Sequence, residues 1–257
     1  FLNPTKQLHV ALITLKLDEA SKSNNIDDLD AYVGLVTYKV NDKNTLGLNY
    51  TYIHNADTDT QLSNIGLHAN GNVSGLGYKG ELDIQLGSNG SPSMDYKGYG
   101  IMMGLNYNVN PINIRGSFAY GSGDDDTDDN IEDFQTFLGA DQRYTLVYEY
   151  RVATTAGATQ TGISNTTYYN LGLDYAPTKD LSTSLDGYIL RASKTANGVS
   201  KNAGWEVDAK VVYKVAKNLK YQVDAGYLHS GAFYNDVLSP VDNKNATVLR
   251  HILTLSF

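Results

Sequence analysis

Cysteine is absent from these 257 residues, tryptophan occurs once and proline five times. A chain without cysteine needs no disulfide framework and can cross an oxidising compartment unfolded with nothing to mispair. No apolar run reaches about 20 residues, which excludes a transmembrane helix. The mean hydropathy of −0.34 does not exclude a membrane. In a transmembrane barrel only every second residue meets lipid, so the average stays low while the alternation stays high. Clusters of Lys and Arg are also missing, and the formal charge is −8. Without a phosphate-neutralising surface no nucleic-acid partner is expected. The opening FLNPTKQ contains neither an initiator Met nor a signal peptide, so a processed, truncated or partial chain is expected.

What is abundant points the other way. Twenty tyrosines against six phenylalanines, together with 24 glycines, suit strands that bend tightly and meet a water–lipid boundary. Segments of about ten residues alternate with period two from end to end. Leu46, Leu48, Tyr50 and Tyr52 share one face, and Gly47, Asn49 and Thr51 the other. Leu82, Ile84 and Leu86 oppose Glu81, Asp83 and Gln85; Ile101, Met103 and Leu105 oppose Gly100, Gly104 and Asn106. Trp205, Val207, Ala209 and Val211 likewise oppose Glu206, Asp208 and Lys210. With the less regular segments 7–18, 31–40 and 181–191 and the C-terminal 249–257, the count is twelve strands.

Connections alternate in length. The short ones, 41–44, 74–77, 110–111, 177–180 and 216–218, carry turn chemistry, while 19–30, 54–61, 88–95, 122–166, 193–204 and 230–246 are long. Short turns facing the periplasm and long loops facing outward are the arrangement of outer-membrane barrels. Counting back from Phe257, every short turn falls on one side, provided that Arg143 to Val152 belongs to the 122–166 connection and is not a strand. A soluble β-sandwich also alternates, but its outside would be charged; here tyrosines recur near the ends of the apolar face. The expected fold is all-β: a transmembrane antiparallel up-and-down β-barrel, one domain over 1–257, with 122–166 as a long extracellular loop.

From about residue 180 onward the chain resembles the alginate-export family of outer-membrane channels. The resemblance is carried by Gly204-Trp205-Glu206-Val207-Asp208, Tyr213-Lys214, Lys217-Asn218-Leu219, Ala225-Gly226-Tyr227 and Gly231-Ala232-Phe233, and upstream by Tyr175 to Leu181, Tyr120 to Asp124 and Phe134 to Gly139. Each piece is a generic barrel phrase; their order is the more specific signal. The resemblance implies a barrel of about eighteen strands, of which this chain would supply twelve, and a channel rather than an enzyme.

The family's alginate exporter is known for a pore lined by basic residues. The inward positions expected here are Lys16, Lys39, Lys79, Arg115, Lys210, Lys214, Lys220 and Arg250, against Asp18, Glu81, Asp83, Asp174, Asp186, Glu206, Asp208 and Asp224. Eight against eight gives no net attraction for a polyanion, and pairing between neighbouring strands is expected instead. The family name is therefore held as a fold label. The acidic run Gly123 to Asp133 has the oxygen density of a Ca²⁺ site without EF-hand spacing, and a solvated loop is the preferred reading. Neither a metal nor a cofactor is expected.

His68 faces inward, His54 and His229 sit at strand ends, and His9 and His251 lack a nearby Ser motif, so a lipid-active enzyme is the least favoured reading. A passive channel for polar solutes, saccharides among them, set in outer-membrane lipid, leads; a barrel that sheathes a partner protein is the alternative. Oligomeric state is left open. The 122–166 connection is too long to be ordinary, and Phe134, Phe137, Tyr144 and Tyr148 within it would gain nothing from exposure. They are expected to fold it over or into the mouth as a constriction, the alternative being a hairpin packed on other loops.

Overall fold

The computed structural model describes residues 2–18, 28–90, 94–124, 130–136, 144–149, 162–238 and 244–257. In chain order the strands are β1 (Leu8–Asp18), β2 (Leu29–Asn41), β3 (Asn44–Asn55), β4 (Thr60–Val73), β5 (Leu76–Asn89), the two-residue β6 (Asp95–Tyr96), β7 (Tyr99–Val109) and β8 (Ile112–Gly121). They continue with β9 (Thr166–Tyr175), β10 (Leu181–Ala192), β11 (Asn202–Ala216), β12 (Leu219–Ser230) and β13 (Ala246–Leu255), and a short helix α1 (Ala232–Leu238) precedes β13. Twelve long strands run as one meander, each paired with the next, while β6 pairs with β5 and bridges Ile131 through Tyr96. All strand pairings are antiparallel. β1 and β13 end the path, and among the described residues they are not joined.

Local chemistry fixes the tight turns. Ser74 (φ 52°) and Gly75 (φ 89°) both adopt left-handed backbone, the two-residue hairpin geometry whose twist matches the strands it connects. Asn41 Oδ1 accepts the Lys43 amide at 2.9 Å, and Thr178 Oγ1 accepts that of Leu181 at 3.1 Å, so side chains replace missing ladder partners at both turns. On the other side β3 and β4 pair as far as Asn55 and Thr60. The loop expected over 54–61 therefore shrinks to residues 56–59; Tyr52 donating to Gln61 extends the pairing.

The two faces differ as alternation requires. Ile84, Leu105 and Leu171 project from the outer face and are 47%, 53% and 70% exposed, a band suited to lipid. Aromatic pairs lie on that face at the ends of strands: Tyr32 with Tyr52 (centroids 6.3 Å), Tyr99 with Tyr120 (5.6 Å) and Trp205 with Tyr227 (5.5 Å). Residues from strands as distant as β3, β5, β8 and β10 line one chamber, so the sheet curls around its polar face. The buried core lies inside that curl, built on Ala119, Tyr168, Tyr188, Leu190, Ala203 and Leu228.

One strand has the opposite phase to that expected. Lys16 stands opposite Asp30 of β2, in the row of Thr14 with Tyr32, which continues to Tyr52 on the outer face. Its ammonium pairs with Asp28 at 2.7 Å. In Leu8–Asp18 both faces are apolar, so alternation carries no phase and pairing with β2 sets it.

Candidate functional site

The other fifteen residues expected to line the pore all fall on the inner face, Asp18 among them because a bulge after Lys16 sets it opposite Leu29. The register runs Lys79 opposite Gly104, Glu81 opposite Met102 and Asp83 opposite Gly100; Arg115 lies opposite Asn106 and Gly172, Asp174 opposite Asn113 and Asp186 opposite Asp208. Glu206, Lys210, Lys214, Lys220, Asp224 and Arg250 continue the inner rows through β13, and Lys39 sits opposite Thr45. With Lys16 outside, seven cations face eight carboxylates.

Much of that charge is held by cross-strand neighbours. Arg115 donates through Nε (2.8 Å) and Nη2 (2.9 Å) to Asp174 and through Nη2 (2.9 Å) to Asp186. Arg250 donates at 2.9 and 2.7 Å to Asp224, which is fully buried. These are charge-assisted bonds in the planar geometry that suits guanidinium. Asp83 accepts from Asn64 at 2.7 Å, and Lys79 bears electrostatically on Glu81.

Glu206 and Asp208 behave differently. Cross-strand pairs are not what hold them; the β8–β9 connection (122–165) does. Glu206 Oε1 accepts the amides of Leu146 (2.9 Å) and Val147 (2.6 Å), its Oε2 accepts that of Tyr148 (2.8 Å), and Asp208 Oδ2 accepts Leu146 at 3.0 Å. Glu206 has no solvent exposure, so successive backbone amides replace its water, as at an anion-binding nest. Residues 144–149 form bends and a turn, not a strand, with the Glu149 amide closing on Thr145 Oγ1 at 2.9 Å.

On the other wall Gln85, 2% exposed, binds the same connection. Its Nε2 donates to the Gln135 carbonyl and its Oε1 accepts the Gln135 amide, both at 2.7 Å. Beside it Phe134 is buried against Gly100, where an added Cβ would meet its ring at 3.1 Å. Tyr144 stacks on Tyr168 with centroids 4.3 Å apart, and Tyr148 shares a hydrogen bond with Thr166 at 3.1 Å. Burial, first, pushes both loop phenols above their usual range, so they stay neutral. Phe137 lies outside the described residues.

Between wall and loop is a chamber of about 620 Å³. Asn49, Asn64, Asn170, Thr51 and Ser117 offer neutral polar groups; Glu81, Asp83, Lys79 and Arg115 bring charge; Phe134, Tyr144, Tyr168 and Tyr188 form an aromatic side. Among the described residues no group of three metal-ligating side chains occurs. Part of the acidic run, 125–129, lies outside them; at its flanks Asp124 accepts the Glu132 amide and Lys194 pairs with Glu132 at 2.5 Å.

The Glu206 and Gln85 contacts were invisible at the level of sequence, because backbone amides carry no residue signature. A signal was nonetheless present. Inner positions near the loop ends of the strands are apolar: Ile53, Leu62, Met102, Ala119, Tyr168, Leu190 and Leu228. A lumen face that turns apolar at one end calls for something to cover it.

The fold is shared with Pseudomonas aeruginosa proteins of known structure, the outer membrane protein OprD among them. OpdR (OccK11) superposes with a TM-score of 0.62 at 14% identity, over 98% of this chain and 67% of that one. OprD gives 0.59 at 12% identity over 98% and 67%, and OpdK, determined with vanillate, 0.63 at 10% over 97% and 64%. The chain thus spans about two thirds of these relatives' length. No curated protein matches the sequence significantly. The model of the alginate export family matches residues 27–245, most of the sequence, and the chain belongs to the alginate export family of outer-membrane β-barrel channels.

Proposed function

We propose that the protein passes uncharged polar solutes, oligosaccharides among them, through a lumen narrowed by its β8–β9 loop, with the long loops outside the cell and outer-membrane lipid around the apolar face. The observation that carries this reading is the chamber of about 620 Å³ beneath the loop, within the range of small-molecule sites. Its carboxamides, hydroxyls and tyrosines suit a polyhydroxylated solute. A polyanion finds little to bind, since Arg115 is held by two carboxylates and Glu81 and Asp83 face the same space. The reading as a channel is supported by the family match over residues 27–245, and two of the histidines pack against aromatic rings. His229 stacks on Trp205 (5.4 Å) and His251 lies against Tyr221 (6.3 Å).

Single-channel recording in planar bilayers tests this. The chain should conduct steadily without a partner protein, and deleting residues 126–160 should raise the conductance clearly. Unchanged conductance with normal assembly would remove the loop from permeation; silence relieved only by a native partner would favour a sheath.

A further inference from the structure

Besides the backbone bridge of Ile131 to Asp95 and Lys97 and the Lys194–Glu132 pair, the β8–β9 loop is fastened to buried wall side chains at two places that lie five strand-to-strand steps apart along the sheet, one on β5 and one on β11. At each place the wall offers a buried polar side chain and the loop offers only backbone. Gln85 completes a two-bond ring with Gln135; Glu206 gathers three successive amides. Leaving any of these groups buried without its partner would cost more than the bond returns in water, so each site favours the docked loop strongly. Each fastening also has a seat where a side chain is missing. At Gly226 an added Cβ would meet Asp208 Oδ1 at 2.7 Å, Val147 Cγ2 at 2.9 Å and Leu146 Cβ at 3.1 Å, and at Gly100 it would meet the ring of Phe134.

We propose that Glu206 and Gln85 are positioning residues that pin the β8–β9 loop across the lumen as a fixed partition, with Gly226 and Gly100 as its seats. The consequence for permeation rests on the reading of that loop as the constriction. A wall carboxylate that would otherwise attract cations is thereby withdrawn from the solute's path, because both Glu206 oxygens are occupied by amides. The partition is built from both walls, so releasing one end swings that end free and leaves the other attached.

Hydrogen exchange read by mass spectrometry on the folded protein in detergent tests the pinning directly. The amides of Leu146, Val147 and Tyr148 should be protected, and Glu206→Gln, which offers one acceptor oxygen where three amides need two, should speed their exchange by about tenfold or more. Gln85→Glu, isosteric but lacking the donor to Gln135, should speed exchange of the Gln135 amide and leave 146–148 protected. Gly226→Val keeps every polar group and should release 146–148 by steric exclusion, so the test survives if Glu206→Gln fails to fold. Rapid exchange of 146–148 in the unaltered protein, or protection unchanged in both Glu206→Gln and Gly226→Val, would overturn the proposal. In bilayers each released variant should conduct between the unaltered protein and the 126–160 deletion. If exchange responds as described but the deletion leaves conductance unchanged, the pinning holds and the constriction reading falls.

Discussion

Arg115 and Glu206 stand on the same inner face, yet their charges are neutralised in opposite ways. Arg115 reaches Asp174 and Asp186 on the two strands that follow its own, and all three residues keep 14–34% of their side-chain surface in contact with water. Glu206 has no such exposure and takes its partners from a loop about 60 positions earlier in the chain. The first arrangement is a property of the sheet: any closed register that sets these strands side by side creates it. The second exists only because a connection folds inward. Charge on this wall therefore has two uses, stiffening the barrel and seating the loop, and both reduce the charge presented to a solute.

The sharpest contrast is with a charge that has neither kind of partner. Ile84→Arg or Leu105→Arg would place a cation on the lipid face, where the cost is about 2–4 kcal/mol at mid-membrane depth. Both variants should lose folded, heat-modifiable barrel on electrophoresis after refolding into bilayers; assembly at the normal yield would mean that the inner and outer faces are reversed. Next comes Arg115→Ala, which leaves Asp174 and Asp186 as diagonal neighbours on adjacent strands without their shared cation. It should still fold, with urea stability lowered by about 1–2 kcal/mol, the range between exposed ion pairs and charge-assisted bonds. Adding Asp186→Asn should recover part of the loss. If Arg115→Ala cost nothing, the cross-strand group would not stiffen the wall and the distinction from Glu206 would lose half its basis.

The legibility of the molecule follows the range of the interactions. Strands such as β3, β5, β7 and β11 were readable because their period-two pattern is written residue by residue, and the turn at Ser74-Gly75 because glycine's left-handed backbone is a local property. β1 had the wrong phase because Leu8 to Leu17 is apolar on both faces, so only pairing with β2 decides where Lys16 points. The cross-strand groups around Arg115 and Arg250 were within reach as opposite charges on neighbouring strands. The seat of the loop was not. Glu206 and Asp208 read as wall charges awaiting lysines, and nothing local marks the amides of residues 146–148 as their partners. What could be read was the excess of aromatic groups in the loop; what was overlooked was the matching apolar inner patch at Met102, Ala119, Tyr168 and Leu190.

The smallest effect is expected at Lys79, and it isolates the charge exposed to the solute from the charges that hold structure. Its stem lies over Gly104, where an added Cβ would come within 2.8 Å of Lys79 Cε, and its ammonium acts on Glu81 through space. The side chain is exposed to the chamber. Removing it should change stability by no more than about 0.5 kcal/mol, as for surface substitutions away from packing and networks. The chamber would then hold Glu81 and Asp83 without a nearby ammonium, so Lys79→Ala should shift the zero-current potential in a KCl gradient toward that of K⁺, while Arg115→Ala combined with Asp186→Asn, which removes one charge of each sign from a paired group, shifts it less. Equal shifts from the two variants would show that the Arg115 group is open to permeating ions, and the division between structural and solute-facing charge would have to be redrawn.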